Sequence, residues 1–223
     1  MMNLEILYED NDILLCRKPA GVATQTKRLG QQDMESILKN YRVKNGEAPY
    51  VGVVHRLDQP VEGLMVFAKN PKAAAGLSKQ IQQRMIGKHY YAVSGSAPME
   101  SEGILENYLV TDKTRNLSSI VTAKPPASAK KAVLEYKVIA QVEGGTLLDV
   151  RLHTGRQHQI RVQMAYMGCP LVGDNKYGKP SNVTSAGLGL CSYRLQFEHP
   201  ITGKKMDFSI VPQGKAFEGF PIP

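Results

Sequence analysis

Five consecutive apolar residues, Leu64-Met65-Val66-Phe67-Ala68, leave this part of the chain few ways to fold in water. The run is too short for a buried helix and has no polar alternation, so it reads as a strand covered on both faces. Just ahead of it stands Val54-His55-Arg56-Leu57-Asp58, then the turn residues Gln59 and Pro60, and Gly63, which permits a backbone geometry other residues avoid. Asp58 therefore sits on a loop held by a rigid element, where functional residues concentrate. A purely structural role is the alternative, with Asp58 accepting backbone N–H bonds in a turn and Arg56 as its ion-pair partner. Taken alone, this segment favours the structural role.

The rest of the chain reads as alternating strands and helices. Residues 4–18 place Ile6-Leu7 and Ile13-Leu14-Leu15-Cys16 about the turn Glu9-Asp10-Asn11-Asp12, a β-hairpin. Lys18-Pro19-Ala20-Gly21 breaks the second strand, and Lys18 reads as an exposed lysine beside a turn. A helix over 33–41 puts Met34, Ile37, Leu38 and Tyr41 on one face. Asn70 caps a second helix whose first residue is Pro71 and which Gly87 ends, with Ile81 and Met85 in the core. Aromatic and β-branched residues over 88–95 predict a strand. An antiparallel meander follows, with strands at 103–110, 118–122, 132–142 and 146–152, the last two joined at Glu143-Gly144-Gly145. The loop over 124–131, with three lysines, reads equally as a solvated surface or a contact for phosphates. A helix over 156–167, closed by Gly168, carries Gln157 and Arg161 on one face and buries Ile160, Met164 and Met167. Strands at 190–198 and 205–211 flank a final hairpin, and 217–223 reads as a loosely held tail.

Charge and cysteine content narrow the setting. The net charge of +8 suits a polyanionic partner, because neutralised phosphates release counterions. The apolar runs are too short to span a membrane. Met1-Met2-Asn3-Leu4-Glu5 shows neither a basic region nor an apolar signal core, which predicts a cytoplasmic protein. Cys16, Cys169 and Cys191 are odd in number and never spaced as C-x-x-C, so they read as buried reduced thiols. The five histidines show no H-E-x-x-H or related spacing, and no metal site is expected.

Three long motifs occur in order. They are the opening through Lys18-Pro19-Ala20-Gly21, the stretch from His55-Arg56-Leu57-Asp58 to Lys69, and Thr154-Gly155-Arg156-Gln157-His158-Gln159-Ile160-Arg161 followed by Gly168, Pro170-Leu171-Val172-Gly173-Asp174 and Tyr177-Gly178. Together they resemble the RluA-like family of pseudouridine synthases, and the resemblance runs from about residue 6 to 210. It implies an α+β fold, a long bent sheet, mixed but mainly antiparallel, with helices on one side and an RNA cleft across the other. It also implies a single catalytic domain over 1–223, with a core at about 6–211 and a tail at 212–223.

The implied reaction converts a uridine in structured RNA, ribosomal or transfer, to pseudouridine. The bond from sugar to base nitrogen breaks, the base rotates, and a carbon–carbon bond forms. Nothing is oxidised and no group is imported, so no cofactor is expected. By the resemblance Asp58 is the catalytic carboxylate, acting as nucleophile or base, and Arg161 is the arginine that pairs with it. Tyr90, in Lys88-His89-Tyr90-Tyr91-Ala92, matches the family's active-site tyrosine, while Tyr91 points to the opposite face. Arg56, Lys18, Arg156 and His158 are the expected RNA contacts, and a monomer is expected.

Two departures from the family pattern stand out. Many relatives carry Thr-Ser-Gly after the aspartate, where this chain has Val61-Glu62-Gly63. The change removes a hydroxyl near the site and adds the Glu62 charge there, which bears on substrate choice and loop–RNA contact more than on the activity itself. No S4-type RNA-binding domain precedes the motifs, so RNA recognition is expected from the catalytic domain's own grooves or from a partner. A kinase reading of His-Arg-Leu-Asp fails on the extra Leu57 and on Asp207-Phe208-Ser209. A catalytically silent RNA-binding relative stays open as the alternative.

Overall fold

The computed structural model describes residues 4–26, 28, 30–178 and 186–223; the leader-free reading of the N-terminus begins on residues outside this range. The chain divides into two compact units, Met1–Gly87 with Ser192–Ile210, and Lys88–Cys191 with Val211–Pro223. The α+β class holds, and the pairings described below are antiparallel.

In the first unit, β1 (Ile6–Glu9) and β2 (Ile13–Lys18) form the expected hairpin. Its turn is closed by Asp10, whose Oδ1 accepts the N–H groups of Asp12 and Ile13 at 2.8 Å each. The apolar run becomes β4 (Glu62–Ala68), buried at every position, and β2 beside it is buried throughout. Burying such side chains yields about 1.5–3 kcal/mol each, which makes this pair the anchor of the unit. The short strand β3 (Gly52–Val53) also pairs with β4. The strand β10 (Leu190–Glu198) neighbours β4 and pairs with β11 (Lys205–Ser209).

Two helices belong to this unit. In α1 (Met34–Lys44), Asp33 and Ser36 cap each other reciprocally. In α2 (Pro71–Gln82), Asn70 accepts the Ala73 N–H and Pro71 opens the first turn. The second helix stops at Gln82, short of Gly87, because Arg84 takes a left-handed φ of 59°. That turn leaves Met85 exposed, where a core position was expected, and gives its place to the buried Ile86.

Gly63 is indispensable to β4. Its φ is 133°, and a Cβ there would lie 2.5 Å from both the backbone nitrogen and oxygen of Ser192 on β10. Neither backbone atom can rotate away. Gly63→Ala should therefore destabilise the protein by roughly 2–6 kcal/mol, the combined scale of φ strain and overpacking, in a urea titration.

The second unit holds β5 (Gly87–Ser94), β6 (Glu102–Asp112), β7 (Leu117–Val121), β8 (Lys130–Val142) and β9 (Gly145–Leu152), in the order β5-β9-β8-β6-β7. The strands lie where expected, but they do not form a meander. β8 returns to the far edge of β6, as in the pairing Leu105↔Leu134, so β7 becomes an edge strand. The physical reason lies on β7, where the Ser118 N–H is satisfied by the Tyr177 hydroxyl at 2.8 Å. Glu143 and Gly144 make a two-residue turn between β8 and β9, with Gly144 at φ 88°.

The helix α3 (Gln159–Tyr166) starts later than its sequence period predicts. Gln159 Oε1 accepts the Arg156 N–H at 3.0 Å and the Thr154 hydroxyl at 2.8 Å, and His158 turns left-handed at φ 54°. Arg156 and Gln157 therefore lie in a loop and share no helical face with Arg161. The tail is also corrected, since Lys215–Phe217 forms a 3-10 turn in which Ala216 and Phe217 are buried. Cys16, Cys169 and Cys191 are buried free thiols. Among the described residues no helix is long and apolar enough to cross a membrane.

Candidate active site

Asp58 sits half-buried on the loop before β4, and each of its neighbours is tethered. Leu57 is buried and bonds twice with Thr24, whose hydroxyl accepts the Leu57 N–H and donates to the Leu57 carbonyl. His55 Nε2 accepts the Val66 N–H of β4 at 3.1 Å, which fixes the neutral tautomer with its proton on Nδ1. The Gln59 carbonyl accepts the Gly21 N–H, and the Gln59 side chain donates to the Gly21 carbonyl, both at 2.9 Å. The Asp58 carbonyl itself accepts the Val61 N–H, closing the turn. Arg56 is exposed on the same loop.

Lys18 contradicts its expected exposure. It is wholly buried, and its ammonium donates to the carbonyls of Pro19, Val22 and Gln59 at 2.9, 2.6 and 3.1 Å. Burial pushes this group down to about 8, opposed by the negative charges of Asp58 and Glu62. An amine committed to three carbonyls holds the Asp58 loop from beneath and is unsuited to gripping a phosphate. Lys18→Met keeps the stem and removes the donor. Three charge-assisted bonds at roughly 1.5–3 kcal/mol each outweigh the burial cost relieved, so a loss of about 2–4 kcal/mol is expected on thermal melting.

The Val61-Glu62 departure is likewise internal. Both residues are buried, and Glu62 lies 3.8 Å from Arg17. Its charge faces the Arg17 guanidinium inside the unit.

In the second unit Arg161 is 2% exposed and grips Asp174, which is fully buried. Nε reaches Oδ2 at 2.8 Å and Nη2 reaches Oδ1 at 2.6 Å, a planar bidentate pair. Burial pushes the Asp174 carboxyl up, but Arg161 and the N–H groups of Lys176 and Tyr177 outweigh it and hold the group below its ordinary range. The Tyr177 ring lies 5.4 Å from the guanidinium, and its hydroxyl meets His158 Nδ1 at 2.7 Å. His158 is thus buried against Tyr177, where contact with RNA was expected. Arg156, part-exposed, donates from Nε to the Lys131 carbonyl. Tyr90 and Tyr91 are both buried on β5, on opposite faces.

Asp174, Tyr177 and Thr24 carry this architecture without having been singled out as site residues from the sequence. Gly173-Asp174 and Tyr177-Gly178 stood in a motif, yet nothing in the spacing said that the aspartate reaches back to Arg161. A three-residue group, Asp10, Asp12 and His199, also escaped notice, with ligand-type atoms all within 4.8 Å. Both His199 nitrogens and both Asp10 oxygens already bond to protein groups, so the cluster does not fit a metal ion.

Comparison with solved structures places this α+β arrangement among pseudouridylate synthase folds. The human RNA Pseudouridylate Synthase Domain Containing 4 superposes with a TM-score of 0.77 at 22% identity, covering 94% of this chain and 89% of that one, a likeness of fold alone. The family model for RNA pseudouridylate synthase matches residues 12–166, and the chain belongs to this family of RNA-modifying isomerases. The uncharacterized RNA pseudouridine synthase YlyB of Bacillus subtilis is 33% identical over 213 residues, 93% of this chain and 68% of the relative. The ribosomal large subunit pseudouridine synthase D of Vibrio cholerae is 33% identical over 221 residues, 92% of this chain and 66% of the relative. The chain spans about two thirds of the length of these relatives.

Proposed function

We propose that the chain isomerises a specific uridine in structured RNA to pseudouridine, as one catalytic domain over 1–223, a monomer in the cytoplasm needing no cofactor. The observation that carries this reading is Asp58 itself, a half-buried carboxylate on a loop whose neighbours are tied on both sides. Such a group is pre-positioned to act as nucleophile or base on an extruded nucleoside. Arg161 is proposed as its charge partner, its plane fixed by the Asp174 grip. Tyr90 is proposed to lie against the uracil ring, stacking on it and assisting a late proton transfer. Arg56 is proposed to hold the RNA.

The substrate is ribosomal or transfer RNA. The likeness to the ribosomal large subunit pseudouridine synthase D of Vibrio cholerae favours the large ribosomal subunit. Mapping pseudouridines across total RNA from cells lacking this protein, against their parent, tests the proposal. At least one site should disappear and return when purified protein is added. Identical maps, together with no product from purified protein on unmodified RNA, would refute it.

A further inference from the structure

Lys88 is the side chain that the described contacts leave unexplained. It is the second residue of β5, two residues before Tyr90, and strand alternation puts the two on the same face, about 7 Å apart along the strand. Its ammonium lies 3.1 Å from the point where a Cβ on Gly155 would stand, so the missing side chain at Gly155 makes its space. Half-buried, Lys88 donates to no acceptor among the described residues. The neighbouring charge that acts on it is of the same sign, the guanidinium of Arg156. Burial and this repulsion both push the Lys88 ammonium below its ordinary range.

Arg156 is placed to share a ligand. Its backbone N–H is held by Gln159 and its Nε by the Lys131 carbonyl. Its two terminal nitrogens have no protein acceptor among the described residues. Two cations brought together without a carboxylate between them cost free energy in the empty protein. An anion that accepts from both reverses that cost.

We infer that Lys88 and Arg156 form a subsite for an RNA phosphodiester on the same face of β5 as Tyr90. The inference rests on the proposed function, since it takes Tyr90 to face the target base. It gives Gly155 a purpose, to make room for the lysine, and it assigns Lys88 a ligand of defined chemistry.

The test compares wild type, Lys88→Met and Lys88→Arg, full-length, with unmodified RNA containing the mapped uridine. Lys88→Met should weaken binding about tenfold, the scale of one charge-assisted hydrogen bond, and flatten the dependence of log affinity on log salt by roughly 0.7–0.9. Lys88→Arg should keep most of both. The free Lys88→Met protein should melt no lower than wild type, because a half-buried, repelled charge has been removed. A structural lysine would behave oppositely, with a lower melting temperature and an unchanged salt slope, and that result overturns the inference. Affinity and slope both unchanged overturn it too. An Asp58→Ala control run alongside separates the two readings: if that control forms pseudouridine at the wild-type rate, the catalytic proposal has failed, whatever the Lys88 data show.

Discussion

Asp58→Ala is expected to form no detectable pseudouridine on RNA that the unaltered protein converts fully. The loss should be roughly 10,000-fold or more, the scale reached when a nucleophile or its activating group is removed. The variant should nevertheless fold. The loop is tied by Leu57 to Thr24, His55 to Val66, Gln59 to Gly21 and Lys18, and the Asp58 carbonyl to the Val61 N–H. Truncating the carboxylate leaves those bonds in place, so the variant should still melt in a single cooperative transition. A single-turnover assay with a melting curve and an RNA-binding titration reads all three quantities. Full conversion by Asp58→Ala would reduce the site to an RNA-binding surface. Failure to fold would mean that the carboxylate itself shapes the loop.

Asp174→Ala should produce the largest loss of stability among single substitutions in the second unit. Removing one member of a buried ion pair costs about 3–5 kcal/mol, because the other charge is stranded. Here the group that loses its bidentate carboxylate is Arg161, with 2% of its surface exposed. The N–H groups of Lys176 and Tyr177 lose their acceptor as well. Melting should fall by roughly 10 °C for a chain of this size. The acid limb of stability carries a second signature. The folded carboxyl titrates below the ordinary value of 3.8, so its contribution is complete above that value and is lost as pH falls through the lower, folded one. Asp174→Ala should lack this acid-sensitive component. A loss of under 1 kcal/mol, or an acid limb unaltered from wild type, would show that the grip does not stabilise the fold.

Much of this arrangement was readable from residue order. The buried strand at Leu64–Ala68, the Asn70-Pro71 helix start and the Glu143-Gly144 turn follow local rules, and local rules sufficed there. What escaped depended on contacts far along the chain. Lys18 looked like a surface lysine because nothing nearby in sequence announces that Gln59 will accept from it, 41 residues on. The start of α3 was misplaced because the Gln159 side chain competes with the helical hydrogen bonds, an event invisible to periodicity. The strand order failed for a similar reason, since a tyrosine at 177 occupies the edge of β7 that a meander would use. Asp58, Tyr90 and Arg161 were candidates through motif resemblance, whereas Asp174 could be given work only once the chain was folded.

The buried Lys18 ammonium binds main-chain oxygens alone, and this separates two properties that proteins often entangle. Ala20, Arg56 and Pro60 face solvent along the loops it fastens. Exchanging their outward groups leaves the three carbonyls, and so the seat of the carboxylate, where they are. Divergence in target preference can then accumulate on the rim while the proposed catalytic carboxylate stays fixed.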